Sequence, residues 1–193
     1  MMGIRFSLYP MRDDFAPLIL DAVRDLDQLG VEVEVDDVST CLLGEEPNLW
    51  EAVRVAFGRA AAPGDHVVLA ATWSAGCPGE PEGDVCVPRA YDGPVGGDAS
   101  WSTEAFVLPE AIAVQFALYP LGTGGYMDAI YAEIDRAKQR GVRVVGRHFC
   151  THLYGDGQEV FDVLRAAFSA ARETAAHVVM TATISANSPS HVG

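Results

Sequence analysis

The stretch IRFSLYP, at Ile4–Pro10, returns as VQFALYP at Val114–Pro120, and this duplication decides the fold. Further along, Asp37–Pro78 aligns without a gap against His148–Pro189, and 15 of these 42 positions are identical. About three identities would be expected by chance at average residue frequencies. The chain therefore contains the same module twice.

Each module begins with a strand and a helix. Ile4, Phe6 and Leu8 alternate with other residues, the period-2 pattern of a strand with one buried face. The helix that follows has an apolar stripe formed by Phe15, Leu18, Ile19, Ala22, Val23, Leu26 and Leu29. Gly30 can end this helix in a left-handed conformation. In the second module the corresponding helical residues are Tyr126, Ile130, Ile134 and Ala137, followed by Gly141.

A hairpin, a second helix and a last strand complete the module. Val31–Val35 alternates valine with glutamate, and the Asp36-Asp37 pair predicts a turn into the strand VSTCLLG. The second helix is predicted over Glu45–Ala62, with Leu49, Val53, Ala56, Phe57 and Ala60 on its buried face. Pro63-Gly64 ends this helix, and Val67–Ser74 forms the closing strand.

The order β-α-β-β-α-β predicts an α+β fold, a tandem repeat of two ferredoxin-like, ACT-like modules whose antiparallel sheets carry helices on one face. We assign the first repeat to residues 1–78, a linker to 79–112 and the second repeat to 113–193. Small, half-polar residues mark the other face of each closing strand, namely Val68, Ala70, Thr72 and Ser74, repeated as Val179, Thr181, Thr183 and Ser185. We expect this face to pack against a second sheet, between copies or between chains.

Composition limits the partners. With 13 basic and 27 acidic residues the formal net charge is −14, which disfavours nucleic acid and suits a cationic ligand or simple solubility. The start lacks the apolar segment of an export signal, and no stretch has the roughly 18 to 20 apolar residues of a membrane span. We expect a cytoplasmic protein with no membrane insertion, whose four cysteines are reduced.

Motifs for catalysis, metal or phosphate are weak. His148 and His152 fall in the second hairpin, where an extended strand would hold them about 13 Å apart, too far to share an ion. His66 and His177 recur at the start of the closing strand, which favours a structural role over a ligand role. The loop GTGGY at 122–126 has the position of a phosphate loop, but its equivalent MRDDF carries two aspartates, of which Asp14 is expected to cap a helix.

Several segments in this order resemble one family. They are RFSLYPMRDDF, STCLLG, SAGCPGEPEGD, QFALYP, YMDAI and SANSPS, and together they are similar to the YkoF-type thiamin/hydroxymethylpyrimidine-binding proteins from Ile4 to Ser190. The resemblance implies a non-catalytic homodimer with one small-ligand site per repeat, which recognises chiefly the aminopyrimidine of thiamin. It also implies a role in vitamin B1 salvage or uptake, with an energy-coupling transporter as a possible partner and no cofactor or metal.

Carried onto this sequence, the resemblance places the ligand beside the end of the first strand of each repeat. The ligand-binding residues it implies are Leu8, Tyr9, Asp14, Ser39 and Thr40 in the first repeat and Leu118, Tyr119, Cys150 and Thr151 in the second. A thiol hydrogen-bonds more weakly than a hydroxyl, so we expect the first site to bind more tightly. Asp13 or Asp14 would favour the thiazolium cation and disfavour a diphosphate tail.

Two other functions fit the same fold. A regulatory ACT-type module would bind an amino acid at the same place, and stabilisation by serine but not by thiamin would identify it. A small enzyme of the dimeric ferredoxin-like class would use His148 or His152 as its acid-base group.

Overall fold

The computed structural model describes residues 2–77, 108–122, 135 and 137–191. The first repeat consists of β1 (Met2–Pro10), α1 (Phe15–Val23), a 3-10 turn (Leu26–Leu29), β2 (Val31–Val35), β3 (Thr40–Gly44), α2 (Glu46–Ala61) and β4 (Val67–Ala75). The second consists of β5 (Ile112–Leu121), β6 (Arg143–Arg147), β7 (Cys150–Gly155), α3 (Gly157–Thr174), β8 (His177–Ala186) and a 3-10 turn (Pro189–His191). The predicted linker residues 79–107, most of the GTGGY loop and the helical residues Tyr126, Ile130 and Ile134 lie outside the described part.

All eight strands form one antiparallel sheet in the order β2-β3-β1-β4-β8-β5-β7-β6. Each half has the strand order of a ferredoxin-like module, which confirms the predicted fold class. The halves meet where β4 pairs with β8, from Val67 opposite Ala186 to Ala75 opposite Val178. Within the chain, the expected face-to-face contact between copies is therefore wrong. β4 and β8 are the edge strands of their modules, and each satisfies the backbone groups of the other.

One face of the sheet carries the helices and the core. Trp50 of α2 stacks on Trp73 of β4 with ring centroids 5.0 Å apart. Phe57 of α2 lies 6.0 Å from Phe161 of α3, so the helices of the two repeats contact each other and share one core. None of the described helices covers the other face, which we call the open face. Arg5 is among the residues on it, as the alternation of buried and exposed positions along β1 requires.

The first helix is shorter than its apolar stripe predicts. α1 stops at Val23, and Asp25 adopts a left-handed conformation with φ of 58° before the 3-10 turn begins. Gly30 has φ of 75° and ends the segment as predicted, and Gly141 repeats this with φ of 82°. Phe15 is expected in the core, but it is the first residue of α1 and is 53% exposed. Asp14 occupies the N-cap position without making the predicted side-chain cap.

The seam between the repeats is held by reciprocal side-chain contacts. His66 Nε2 lies 3.0 Å from Ser185 Oγ, and His177 Nε2 lies 3.4 Å from Ser74 Oγ. His66 immediately precedes β4 and His177 is the first residue of β8, and each reaches the closing strand of the other repeat. The recurrence of these histidines in the sequence therefore reflects their position at the seam.

Membrane insertion has no helical basis in the part of the chain that the structure describes. None of its helices combines the length and the apolar character that a membrane span requires.

Candidate functional site

The open face of the sheet holds a trough of about 840 Å³ that runs across both repeats. The first repeat lines its half with Arg5, Phe6, Ser7, Val38, Ser39, Ala70, Ala71 and Thr72. The second lines its half with Gln115, Phe116, Ala117, Tyr119, His148, Phe149, Cys150, Thr181, Ala182 and Thr183. The small residues of β4 and β8, which were predicted for this face, form the floor. Their small size leaves the trough room for a ligand.

In each repeat an unpaired strand edge adjoins the trough. β1 pairs with β3 only as far as Phe6 opposite Thr40, so no described strand pairs with residues 7–10 on that side. β5 pairs with β7 only as far as Phe116 opposite Thr151, which leaves residues 117–121 equally unpaired. Backbone N–H and C=O groups along such an edge can serve a ligand with a donor-acceptor edge.

Side chains of the described residues do not fill the two Leu-Tyr-Pro corners. Tyr9 is 51% exposed and Tyr119 is 47% exposed. Both tyrosines project from the open face, and Tyr119 also lines the trough. An aromatic ring that is half exposed beside a cavity can stack on a flat heteroaromatic ligand.

The residues implied by the resemblance fall on both faces of the sheet. Ser39 and Cys150 lie at equivalent positions on the open face and line the trough. Leu8 and Thr40 are buried on the helix face, so their side chains belong to the core. In the second repeat, Leu118 packs against the core from the helix face.

Thr151 pairs with Phe116, so its side chain also points to the helix face. Thr40 has the same relation to Phe6 in the first repeat. The two leucines can therefore offer their backbone from the edge beyond these pairs, whereas each threonine has a paired strand on both sides. The trough side chains come from the alternate positions.

Asp14 forms an ion pair with Arg12. Its carboxylate accepts hydrogen bonds from Arg12 Nε at 2.6 Å and from a second guanidinium nitrogen at 2.7 Å. Arg12 also contacts Asp65 at 2.8 Å. The Arg12 hydrogen bond lowers the pKa of Asp14 below its ordinary value. The negative charge expected to attract a thiazolium cation is thus partly compensated, because Arg12 is shared between Asp14 and Asp65.

The first half of the trough contains a charged cluster on the open face. Arg5 forms an ion pair with Asp36 and donates a 2.8 Å hydrogen bond to Ser39 Oγ. Asp36 Oδ1 also accepts the backbone N–H groups of Val38 and Ser39, each at 2.8 Å. These backbone hydrogen bonds, together with Arg5, lower the pKa of Asp36 to about 2. The carboxylate therefore remains charged at neutral pH and holds the hairpin tip against β1.

The second half has different groups in the same places. Gln115 stands where the first repeat has Arg5, and it lies opposite His152 in the β5–β7 register. His152 Nδ1 is 3.0 Å from the Tyr154 hydroxyl. The guanidinium of Arg143 lies over the Tyr154 ring, 5.2 Å from its centroid. At the tip, Phe149 is 98% exposed and has φ of 69°.

Sequence reasoning reduced the difference between the two sites to Ser39 against Cys150 and missed the larger one. Arg5 corresponds to Gln115, and Asp36 corresponds to Arg147. An alignment of the two repeats shows these two pairs of residues. The alignment does not show the strand register, which places all four residues on the open face near the trough.

The predicted separation of His148 and His152 rested on an extended strand, and that premise is wrong. His148 lies in the two-residue turn before β7, whereas His152 lies within the strand. A group of three or more metal-ligating side chains is absent from the described residues. Cys41, Cys77 and Cys150 are free thiols, and burial raises the pKa of Cys41.

The fold and its trough define a duplicated ferredoxin-like protein with one sheet face that none of its described helices covers. The model of one family, described as "YKOF-related Family", matches residues 1–80 and 111–191. A Bacillus subtilis (strain 168) protein named "Putative HMP/thiamine-binding protein YkoF" is 39% identical over 189 residues, covering 97% of this chain and 91% of the relative. The chain belongs to the YkoF-related family, as the quoted segments predict.

Solved structures also show likeness to parts of the chain. Protein MJ1052 from Methanocaldococcus jannascii is 22% identical with a TM-score of 0.36, and the match covers 39% of this chain and 78% of that one. Protein SP2199 from Streptococcus pneumoniae is 22% identical with a TM-score of 0.36, covering 42% and 92%. A domain of unknown function, DUF77, from Bacillus cereus is 23% identical with a TM-score of 0.35, covering 39% and 74%.

Proposed function

We propose that the chain is a non-catalytic binding protein for thiamin or its hydroxymethylpyrimidine moiety, with one site per repeat. The observation that carries the proposal is the unpaired strand edge that adjoins an exposed tyrosine and the trough in each repeat. An aminopyrimidine presents a donor and an acceptor side by side, which complements a backbone edge, and its flat face suits a tyrosine ring. The name of the Bacillus subtilis relative supports the same ligand class.

Each site is expected to combine backbone and side-chain groups. The backbone at Leu8, beyond the pair Phe6–Thr40, and the side chains of Tyr9 and Ser39 would serve the first site. At the second site the corresponding groups are the backbone at Leu118, beyond the pair Phe116–Thr151, and the side chains of Tyr119 and Cys150. Asp14 has no electrostatic role in this proposal, because its carboxylate pairs with Arg12.

Isothermal titration calorimetry with thiamin and hydroxymethylpyrimidine tests this function, and we expect two binding sites per chain. Two variants separate the sites, because Ser7 and Ala117 are equivalent residues on the trough surface. Ser7→Trp fills the first half and Ala117→Trp the second, so each variant should retain one site. Leu20→Trp, at an exposed position of α1, is the matched control and should retain both. If both trough variants bind like the wild type, the site is misplaced.

Thermal shift separates this proposal from the ACT-type alternative. Thiamin should raise the melting temperature because it binds the folded state, whereas serine and other amino acids should not. If an amino acid stabilises the protein and thiamin does not, the proposal is overturned and the ACT-type alternative takes its place.

The enzyme alternative has one observation in its favour, since His148 lines the trough. Incubation of thiamin with the protein, followed by chromatography, should return the ligand unchanged. Turnover that disappears in His148→Gln but persists in His66→Gln, a seam variant, would establish catalysis and overturn the proposal.

The cellular part of the proposal is a cytoplasmic homodimer that acts in thiamin salvage or uptake, with an energy-coupling transporter as its partner. A second copy lying across the open face would enclose the trough over its ligands, since the side chains that β4 and β8 place in the trough are small. Light scattering coupled to gel filtration should give twice the 20.6 kDa chain mass. A monomeric mass at micromolar concentration would remove the dimer from the proposal.

A further inference from the structure

The strands that flank the two halves of the trough carry opposite charge at two of three equivalent positions. On the open face, β2 and the turn after it present Glu32, Glu34 and Asp36, whereas β6 presents Arg143, Val145 and Arg147. The cross-strand pairs Glu32 with Leu43 and Arg143 with Tyr154 show that the two sets occupy the same register. The chain has an acidic total charge, so a cationic flank in only one repeat is a local feature.

The charge difference extends to the groups that adjoin the ligand. Ser39 Oγ lies 3.4 Å from the Asp36 carboxylate, so an acid borders the first half of the trough. In the second half, Arg147 lies directly opposite Cys150 across the β6–β7 pair. Residues opposed in this way have Cβ atoms about 5 Å apart, so the guanidinium can reach a group bound beside Cys150.

Two arginines near the trough differ in their partners. Arg5 lines the first half, whereas Arg147 lies beside the second half, opposite the lining residue Cys150. Arg5 is paired with Asp36, so its positive charge is largely balanced by that carboxylate. No carboxylate of the described residues pairs with Arg147. His148 lines the same half and adds a second group that can donate to an anion. An unpaired guanidinium is a preferred partner for phosphate, which it binds with two parallel hydrogen bonds.

We propose that the second repeat selects an aminopyrimidine that carries a phosphate ester, whereas the first selects the uncharged or cationic form. This inference rests on the proposed function. It reverses, for the second repeat alone, the expectation that a phosphorylated tail is disfavoured. The chain would then hold two chemically different forms of one ligand class, and the aminopyrimidine would be recognised by the same backbone edge in both repeats.

The test is calorimetry on the two single-site variants with thiamin and thiamin monophosphate as probes. Ser7→Trp, which leaves the second site, should bind thiamin monophosphate roughly threefold to tenfold more tightly than thiamin. Ala117→Trp, which leaves the first site, should show the reverse order. Adding Arg147→Gln to Ser7→Trp should abolish the phosphate preference, whereas adding Arg165→Gln, an equal charge change on α3, should preserve it.

The outcomes separate this inference from the function beneath it. If both single-site variants bind the two probes in the same order, the inference is overturned while the binding function stands. If neither probe binds the wild type, both fail. Should a tryptophan variant not fold, the full chain with Arg147→Gln provides the second test. It must lose thiamin monophosphate affinity at one of two sites while retaining affinity for hydroxymethylpyrimidine, and unchanged binding of the ester overturns the inference.

Discussion

The hairpins of the two repeats differ although their strands share one register. Between β2 and β3 the chain uses four residues, and Asp36 leaves the strand so that its carboxylate can accept two backbone N–H groups. Between β6 and β7 only two residues form the turn, and Arg147 remains in the strand opposite Cys150. An arginine cannot accept hydrogen bonds, so it cannot form the turn that aspartate forms. The exchange of Asp36 for Arg147 thus removes the acceptor of the first turn and reverses the charge beside the trough.

The seam shows a second difference between equivalent positions. Gly76 and Asn187 both follow the closing strand and both have positive φ, 76° and 55°. A Cβ atom at Gly76 would lie 1.7 Å from the carbonyl oxygen of Ala176. Asn187 instead uses its side chain to donate to the carbonyls of Ala61 and Asp65 at 3.0 and 3.1 Å. The same backbone conformation therefore excludes a side chain in one repeat and requires one in the other.

The largest expected effect comes from exchanging these residues. Gly76→Asn should destabilise the fold by about 4 kcal/mol or more, because the chain must move away from Ala176. Asn187→Gly should cost about 1 to 2 kcal/mol, since it loses two hydrogen bonds but relieves a positive φ. Urea unfolding monitored by circular dichroism measures both. Equal losses in the two variants would show that the seam is symmetric after all.

Much of the fold could be predicted because the spacing of apolar residues along the chain shows which face of each strand or helix is buried. The alternation in β1 and the stripe Leu49, Val53, Ala56, Phe57 and Ala60 appear in the structure as buried faces, and all five stripe residues of α2 are buried. The helix stripe beginning at Phe15 overestimated α1, since a periodic pattern continues through the 3-10 turn without distinguishing it from the helix. Periodicity also says nothing about which edges meet, so the continuous sheet through β4 and β8 was not predicted.

The candidate site was harder to predict for a related reason. Consecutive residues of a strand face opposite sides, so a motif such as Leu8-Tyr9 supplies one side chain to the core and one to the open face. The register with β3 and β4 was needed to decide which of these two side chains points toward the ligand. The resemblance to a family indicated the region, and the contacts of Arg5, Asp36 and Arg12 emerged only from the structure.

The second prediction concerns the trough and sharpens the contrast between Ser39 and Cys150. With uncharged hydroxymethylpyrimidine as ligand, the first site should be tighter by roughly threefold to tenfold, the value of one hydroxyl hydrogen bond. Cys150→Ser should bring the second site close to the first, and Ser39→Cys should weaken the first. Calorimetric titration of both variants measures the change. Two equal sites in the wild-type chain would remove the contrast.

The smallest expected effect concerns the pH dependence of the first hairpin. The pKa of Asp36 falls from 3.8 to about 2 on folding, because the charged carboxylate accepts the Val38 and Ser39 N–H groups and pairs with Arg5. A lowered pKa means that this stabilisation is fully present above pH 3.8 and is lost as pH falls through about 2. Asp36→Asn keeps an acceptor but cannot titrate, so its stability deficit at pH 5 should shrink as the pH approaches 2.

Arg147→Asn supplies the matched control in the second repeat, because that position holds no acid. Its free energy of unfolding should run parallel to that of the wild type over the same pH range, since both chains retain Asp36. Urea unfolding at several pH values compares the three proteins at constant ionic strength, which matters because Asp36 is exposed and its ion pair is screened by salt. If the deficit of Asp36→Asn stays constant down to pH 2, the carboxylate does not stabilise the hairpin through its charge. The difference between the two tips would then be one of turn geometry alone.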